Sequence, residues 1–333
     1  MVTLGIETSC DETAAGLVDG SLRVLANQVY SQIPLHARYG GVVPEIAARA
    51  HLEKIDPVVR QALEEAALPI TEVDLIAFTR GPGLLGSLLV GASFARGLGR
   101  SLGKPVVGIN HLEGHLASAY LDDPGLRAPF LGLVVSGGHT EFCQVEEGFR
   151  YSVMGKTRDD AAGEAFDKCG KILGLEYPAG PVLARIAASG RRDFIAFPKA
   201  LDQRDNFEFS FSGLKSSVLR YAQTHDPDFL RENLPHICAS IEAAIVEVLV
   251  KKAMGALIHA KLDVLAVVGG VSANLHLKAR MQAEAQKMGF RALFPSPRFC
   301  GDNGAMIAAV AQMKANQGIF PGILDVKPSL GWD

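Results

Sequence analysis

Twice in this chain an apolar strand breaks into a tight turn of glycine, hydroxyl and acidic residues and then resumes, and this pattern limits the fold more than any other feature. The first copy is Thr3-Leu4-Gly5-Ile6-Glu7-Thr8-Ser9-Cys10-Asp11-Glu12-Thr13, followed by the strand-like Ala14 to Val18. The second is Leu131-Gly132-Leu133-Val134-Val135-Ser136-Gly137-Gly138-His139-Thr140-Glu141, with Phe142 to Val145 beyond. Both read as β-hairpins. Small residues at a hairpin tip let backbone N–H groups approach an anion and form a concave nest. One hairpin per lobe could grip a phosphate from two sides. A third element, Leu265-Ala266-Val267-Val268-Gly269-Gly270-Val271-Ser272-Ala273-Asn274, is an apolar strand ending in a double glycine before a helix from Leu275 to Met288. Ligands favour that end of a strand in an open α/β sheet. None of the three is a Walker A loop or a G-x-G-x-x-G fingerprint, so a P-loop kinase and a Rossmann dehydrogenase lack support.

The remaining punctuation fits an α/β chain. His51 to Ala67 carries Leu52, Ile55, Val59 and Leu63 at helical spacing and is followed by Pro69, a usual stop signal. Leu75 to Phe78 and Val106 to Ile109 read as strands, and Gly86 to Gly103, Ile237 to His259 and Gly304 to Lys314 as helices. The stretch from Asp159 to His236 shows no clear strand and reads as a mainly helical insertion. At 333 residues the chain exceeds what one core serves, so two lobes are expected. The Asp122-Asp123-Pro124-Gly125 turn divides them into residues 1–123 and 124–333.

Asn110-His111-Leu112-Glu113-Gly114-His115 supplies the first chemistry. Histidines four apart on a helix share a face and can ligate one ion. In the metalloprotease motif H-E-x-x-H the glutamate follows the first histidine directly. Here Glu113 lies two positions on, roughly 200° around the helix, too far to act on metal-bound water. Asp302 precedes a helix and is either its N-cap or a further ligand. The five cysteines, Cys10, Cys143, Cys169, Cys238 and Cys300, form no C-x-x-C pair. A disulfide framework and a thiolate zinc site are therefore disfavoured.

A net charge of −3 does not advertise a free-standing nucleic-acid binder. The exception, Arg185 to Arg220, holds Arg185, Arg191, Arg192, Lys199, Arg204, Lys215 and Arg220 and reads as a solvated surface. The longest uncharged run, Gly81 to Ala95, is flanked by Arg80 and Arg96 and falls short of the ~20 residues that span a bilayer. The amino terminus has no secretory pattern, so a cytoplasmic location is expected.

These landmarks assemble into a resemblance. Gly5 to Thr13, Gly40-Gly41-Val42-Val43-Pro44-Glu45, Gly81-Pro82-Gly83, the His111/His115 helix and Ser136-Gly137-Gly138-His139-Thr140 follow one another in order. Gly163-Glu164-Ala165-Phe166-Asp167-Lys168, Phe209-Ser210-Phe211-Ser212-Gly213-Leu214-Lys215, Gly269 to Asn274 and Cys300-Gly301-Asp302-Asn303 complete the series. The chain is similar along essentially its whole length to the tRNA N6-adenosine threonylcarbamoyltransferase family, once labelled O-sialoglycoprotein endopeptidase.

The resemblance implies a two-lobed α/β fold of the actin, heat-shock-chaperone and sugar-kinase (ASKHA) type. It implies transfer of a threonylcarbamoyl group from threonylcarbamoyl-adenylate to N6 of the adenosine 3′ of the anticodon in tRNAs reading codons that begin with A, with AMP released. By the same resemblance His111, His115 and Asp302 bind one metal ion, Fe(II) or alternatively Zn(II). Val135, Ser136, Gly137, Gly138, His139, Asp167, Gly180 and Asn274 would hold the donor. Asp11 or Glu12 is the candidate acceptor of the amine proton. Some members carry a metal-completing tyrosine where this chain has Val134, which cannot ligate. The implied partners are tRNA, an inactive paralogue of the same fold and a small P-loop ATPase. A metal-dependent glycoprotein peptidase and a noncatalytic ATP-binding module of the chaperone type stand as alternatives.

Overall fold

The computed structural model of the chain describes residues 1–320, 322 and 324–332. They form two compact units, Met1–Leu126 together with the chain from Pro295 onward, and Arg127–Phe294. The expected junction after residue 123 lies close to the first boundary. The last segment, however, returns to the first unit instead of completing the second.

The first unit opens with the antiparallel meander β1 (Val2–Glu7), β2 (Glu12–Asp19) and β3 (Val24–Ser31). There follow α1 (Ile33–Ala37), α2 (Pro44–Glu65), β4 (Leu75–Gly81), α3 (Leu85–Leu102), β5 (Val106–Asn110) and α4 (His111–Asp122). The sheet order is β3-β2-β1-β4-β5, with β1, β4 and β5 parallel. β4 is buried along its whole length, as a parallel strand covered on both faces must be, and its first four residues, Leu75 to Phe78, are accordingly an unbroken apolar run. α2 begins at Pro44 rather than at the expected His51; a proline in the first turn lacks only an N–H that would have had no partner there.

The second unit repeats this arrangement. β6 (Phe130–Val135), β7 (Thr140–Glu146) and β8 (Arg150–Lys156) form its antiparallel meander, then come α5 (Ala162–Ile172), α6 (Ala179–Ala187), α7 (Ser212–Thr224), α8 (Pro227–Glu232), α9 (Leu234–Ala260), β9 (Val264–Val268), α10 (Leu275–Lys287) and β10 (Arg291–Leu293). The order is β10-β9-β6-β7-β8, with β6, β9 and β10 parallel. The stretch expected to be a helical insertion holds α5 to α8 and, among the described residues, only an isolated bridge between Thr157 and Phe209. α9 is buried nearly all round and forms the spine of this core, packed with Leu133, Phe142, Phe166 and Phe209. One of its buried residues is Lys252, whose Nζ donates to the carbonyls of Asn206 at 2.5 Å and Glu208 at 2.7 Å.

The chain then returns to the first unit through α11 (Pro297–Cys300) and α12 (Gly304–Asn316). The register of β1 with β2 sets Gly5 opposite Gly16. A Cβ on Gly5 would stand 2.3 Å from Ala308 N and Gly304 O, and one on Gly16 would stand 2.2 Å from Ala305 N. Only hydrogen fits, so the α12 backbone lies directly on the sheet. This seat is why the final segment belongs with the first unit. Among the described residues no helix is long and apolar enough to cross a membrane.

Candidate functional site

β5 runs straight into α4, and Asn110 caps the junction by accepting from Leu112 N at 2.8 Å. His111 and His115 therefore occupy the first turns of a helix fixed by a strand. Between them Gly114 is where α12 packs closely, since a Cβ there would sit 2.8 Å from Ile307 Cδ1 and 3.2 Å from Met306 Cγ. α12 thus crosses α4 at Gly114 and brings the loop before it to the histidines. The cap of α12 is Asn303, whose side chain accepts from Met306 N at 2.9 Å. Of the two roles open to Asp302 in the sequence, capping falls to its neighbour.

Asp302 Oδ1 lies 3.2 Å from His115 Nε2 and 3.6 Å from His111 Nε2, and one ligand atom from each residue falls within 4.8 Å of the others. Ligands at about 2.0–2.2 Å from a tetrahedral ion are separated by roughly 3.3–3.6 Å. His115 is fully buried, yet neither ring nitrogen has a hydrogen-bond partner, and an orphaned imidazole is costly unless something else fills the role. A cation held between the three residues would be such a partner for one of those nitrogens. Burial opposes a charge on His111, but the carboxylates of Asp302 and Glu7 outweigh it and push the imidazole up to about 9. Glu113 is also buried, and its Oε2 accepts from Lys314 Nζ at 2.6 Å, on α12 and away from the triad.

More acidic groups gather on the same unit. Burial, with Asp302 and then Asp11, pushes Glu12 up to about 9, and Glu12 shares a hydrogen bond with Asp11. Burial and the same carboxylates also push the Cys10 thiol far up, so it is no thiolate ligand. Unlike a bare protein carboxylate cluster, one holding a cation would keep these acids ionised.

In the second unit the tip between β6 and β7 is closed by its own side chain. Ser136 Oγ accepts from Gly138 N at 3.3 Å and His139 N at 3.0 Å, and Ser136 N donates to His139 O at 2.8 Å. Two donors expected to form an open nest are thus engaged. In the first hairpin Ser9 N–H likewise donates to Glu7. Beside the second tip is a cavity of about 840 Å³. Of the residues expected to bind the donor, Gly137, Asp167, Gly180 and Asn274 line it; Val135 is buried in β6, and Ser136, Gly138 and His139 are not in its wall. A Cβ on Gly137 or Gly270 would meet nothing within 4 Å, whereas one on Gly180 would press on Asp167 and Phe166 at 3.3 Å. Asp167 Oδ1 accepts from Gly180 N at 2.7 Å.

The wall also holds residues that the sequence reading did not single out. Glu242, almost wholly buried on α9, accepts from Asn274 Nδ2 at 2.9 Å and from Arg192 Nη2 at 3.3 Å. Burial pushes its carboxyl up, and Asn274 and Arg192 hold it back. The signal in the sequence was an acid inside the stretch Ile237 to Val246, which is apolar but for Ser240. His276 is pushed down to about 4 by burial and by Arg192 and Arg280. Asn274 also caps α10 through Leu277 N at 2.8 Å, so one side chain ties the helix to the cavity wall.

Comparison with known proteins agrees on one family. The TsaD family model, tRNA N6-adenosine threonylcarbamoyltransferase, matches residues 23–309. The chain is 46% identical over 330 residues to the tRNA N6-adenosine threonylcarbamoyltransferase of Clostridium perfringens, covering 99% of this chain and 97% of the relative. It is 48% identical over 318 residues to that of Desulforapulum autotrophicum, covering 96% and 95%. Among solved structures, component A of the Acidaminococcus fermentans (R)-2-hydroxyglutaryl-CoA dehydratase superposes with a TM-score of 0.53 at 14% identity, over 95% of this chain and 99% of that one. Full-length HypF in its phosphate- and nucleotide-bound form gives 0.60 at 12% identity, over 95% of this chain and 46% of its own. These two establish the fold, which is of the actin, heat-shock-chaperone and sugar-kinase type.

Proposed function

The chain belongs to the tRNA N6-adenosine threonylcarbamoyltransferase family, and from that premise we propose that it works with one cation on His111, His115 and Asp302 and with a donor adenylate in the Gly137–Asn274 cavity. It is a transferase that modifies tRNA at N6 of adenosine. The observation that carries the metal reading is the fully buried His115, whose two ring nitrogens lack a hydrogen-bond partner beside Asp302. Two imidazoles and one carboxylate suit Fe(II) or a catalytic Zn(II) and leave positions open. When bound, such an ion polarises an acyl carbonyl.

The protein residues do the remainder. An exocyclic adenine amine is a poor nucleophile, so positioning it is a large part of the task. Asp11 and Glu12, adjacent at the first hairpin and joined by a hydrogen bond, are our candidates for taking its proton. The donor is threonylcarbamoyl-adenylate, the acceptor is the adenosine 3′ of the anticodon in tRNAs reading A-initial codons, and AMP leaves. Gly137 and Gly270 keep open the space for its phosphate, while Phe166, Pro181 and Val271 offer apolar wall to its base. The reading places the enzyme in the cytoplasm with an inactive paralogue and a small P-loop ATPase as partners.

The deciding assay is nucleoside analysis of tRNA after incubation with threonylcarbamoyl-adenylate and the partners, beside a glycoprotein cleavage assay on the same preparation. Modified adenosine without cleavage is expected, and Gly137→Val should abolish it by filling the cavity without disturbing the fold. Cleavage with no modified adenosine would revive the peptidase, against which the engagement of Glu113 with Lys314 already counts.

A further inference from the structure

The two histidines differ in what stands behind them. His115 has no hydrogen-bond partner on either nitrogen. His111 Nδ1, by contrast, lies 3.1 Å from Glu7 Oε2 and 3.3 Å from Ser9 Oγ. Glu7 ends β1, is wholly inaccessible to solvent, and accepts two further bonds, from Ser9 N–H on Oε1 and from the Thr79 hydroxyl on Oε2. The parallel register that pairs Ile6 with Phe78 sets Glu7 beside Thr79, so its place is fixed by the sheet.

We propose that Glu7 is a positioning residue of the metal centre: its carboxylate accepts the Nδ1–H of His111 and thereby keeps the Nε2 lone pair turned toward Asp302 and the cation. The inference rests on the reading of His111, His115 and Asp302 as ligands. Metal-bound histidines commonly donate their second nitrogen to a carboxylate that fixes tautomer and ring orientation. Three donors converge on Glu7, and only an acceptor with two oxygens receives them all. A glutamine there has one oxygen. With that oxygen toward Thr79 and His111, its amide hydrogens oppose Ser9 N–H. Turned over, it satisfies Ser9 but presents N–H to His111 Nδ1, which selects the Nε2–H tautomer and removes the ligand lone pair.

The test is cobalt(II) titration of the full chain as wild type, Glu7→Gln, Thr79→Val and His115→Ala, with affinity from chelator competition, the visible ligand-field spectrum, and thermal melts of the metal-free proteins. Wild type should take up one ion. Glu7→Gln should bind it about 10–100-fold more weakly, with an altered spectrum. Thr79→Val removes one donor but leaves the carboxylate on His111, so it should bind cobalt as the wild type does even where it melts earlier. Cobalt affinity unchanged in Glu7→Gln overturns the proposal, and so does a loss that tracks melting temperature equally in both variants. Should Glu7→Gln not fold, nitrogen-15 histidine spectra of the zinc-loaded wild type decide: Nδ1 protonated and Nε2 metallated is expected, and the reverse overturns it. A wild type that binds no cobalt, or a His115→Ala chain that binds it equally well, refutes the ligand set itself and the inference with it.

Discussion

Asp302 faces the histidines while Asn303 does the capping, and Glu113 is held off by Lys314. These two neighbours separate the residues proposed to ligate from one, Glu113, that only looks as though it could. His115→Ala should lose bound metal and transfer activity while the chain keeps its fold. Glu113→Gln should keep its metal and lose about 1–3 kcal/mol of stability, the range for weakening a buried charged hydrogen bond. Metal analysis beside urea denaturation distinguishes them; equal metal loss in both would contradict the geometry. Lys252 carries a different prediction. Burial pulls its ammonium from 10.5 down to about 8, so between those values the unfolded chain binds more protons and stability rises with pH. Below about 8 the lysine is charged in both states and its contribution is flat. The stability difference between wild type and Lys252→Met should therefore grow in favour of wild type from about pH 8 to 10.5; a pH-independent difference would contradict the assignment.

At the level of elements, the seat of α12 on β1 and β2 controls the centre. Gly16→Ala would drive a methyl into the backbone of Ala305, an overpacking that typically costs about 1–3 kcal/mol. It should also weaken metal binding without touching a proposed ligand, because Asp302 stands in the loop that leads into the displaced helix; an unchanged cobalt affinity would contradict this. Both hairpins, the strand before Gly269 and the long helices were legible from turn chemistry and periodicity. β3 and β8 were not, because each is partly exposed with mixed side chains and lacks a clean alternation. The shared face of His111 and His115 was legible from their spacing, whereas Asp302 joined them only through the resemblance. Glu7, Glu242 and the self-closing of the Ser136 turn were not, because each depends on a residue far away in sequence or on a hydroxyl rotamer that no pattern specifies.

For the molecule as a whole, the basic stretch from Arg185 to Arg220 is partly neutralised within the fold: Arg191 pairs with Asp193, Arg192 with Glu242, and Lys199 with Glu247. With a net charge of −3, the isolated chain should bind tRNA weakly and lose that binding steeply with salt, since phosphate contacts dominate nonspecific affinity. Filter binding across a salt series checks this, and tight salt-insensitive binding would contradict it. The return of α12 to the first unit also imposes an order in time. A chain growing from its amino end presents β1, β2 and both histidines long before Asp302 and Gly304 emerge, so the groove at Gly5 and Gly16 waits uncovered while the whole second unit is made. A centre built on His111, His115 and Asp302 would thereby have to wait until the second unit is made, and a nascent chain halted after Phe294 would hold the two imidazoles without the third residue.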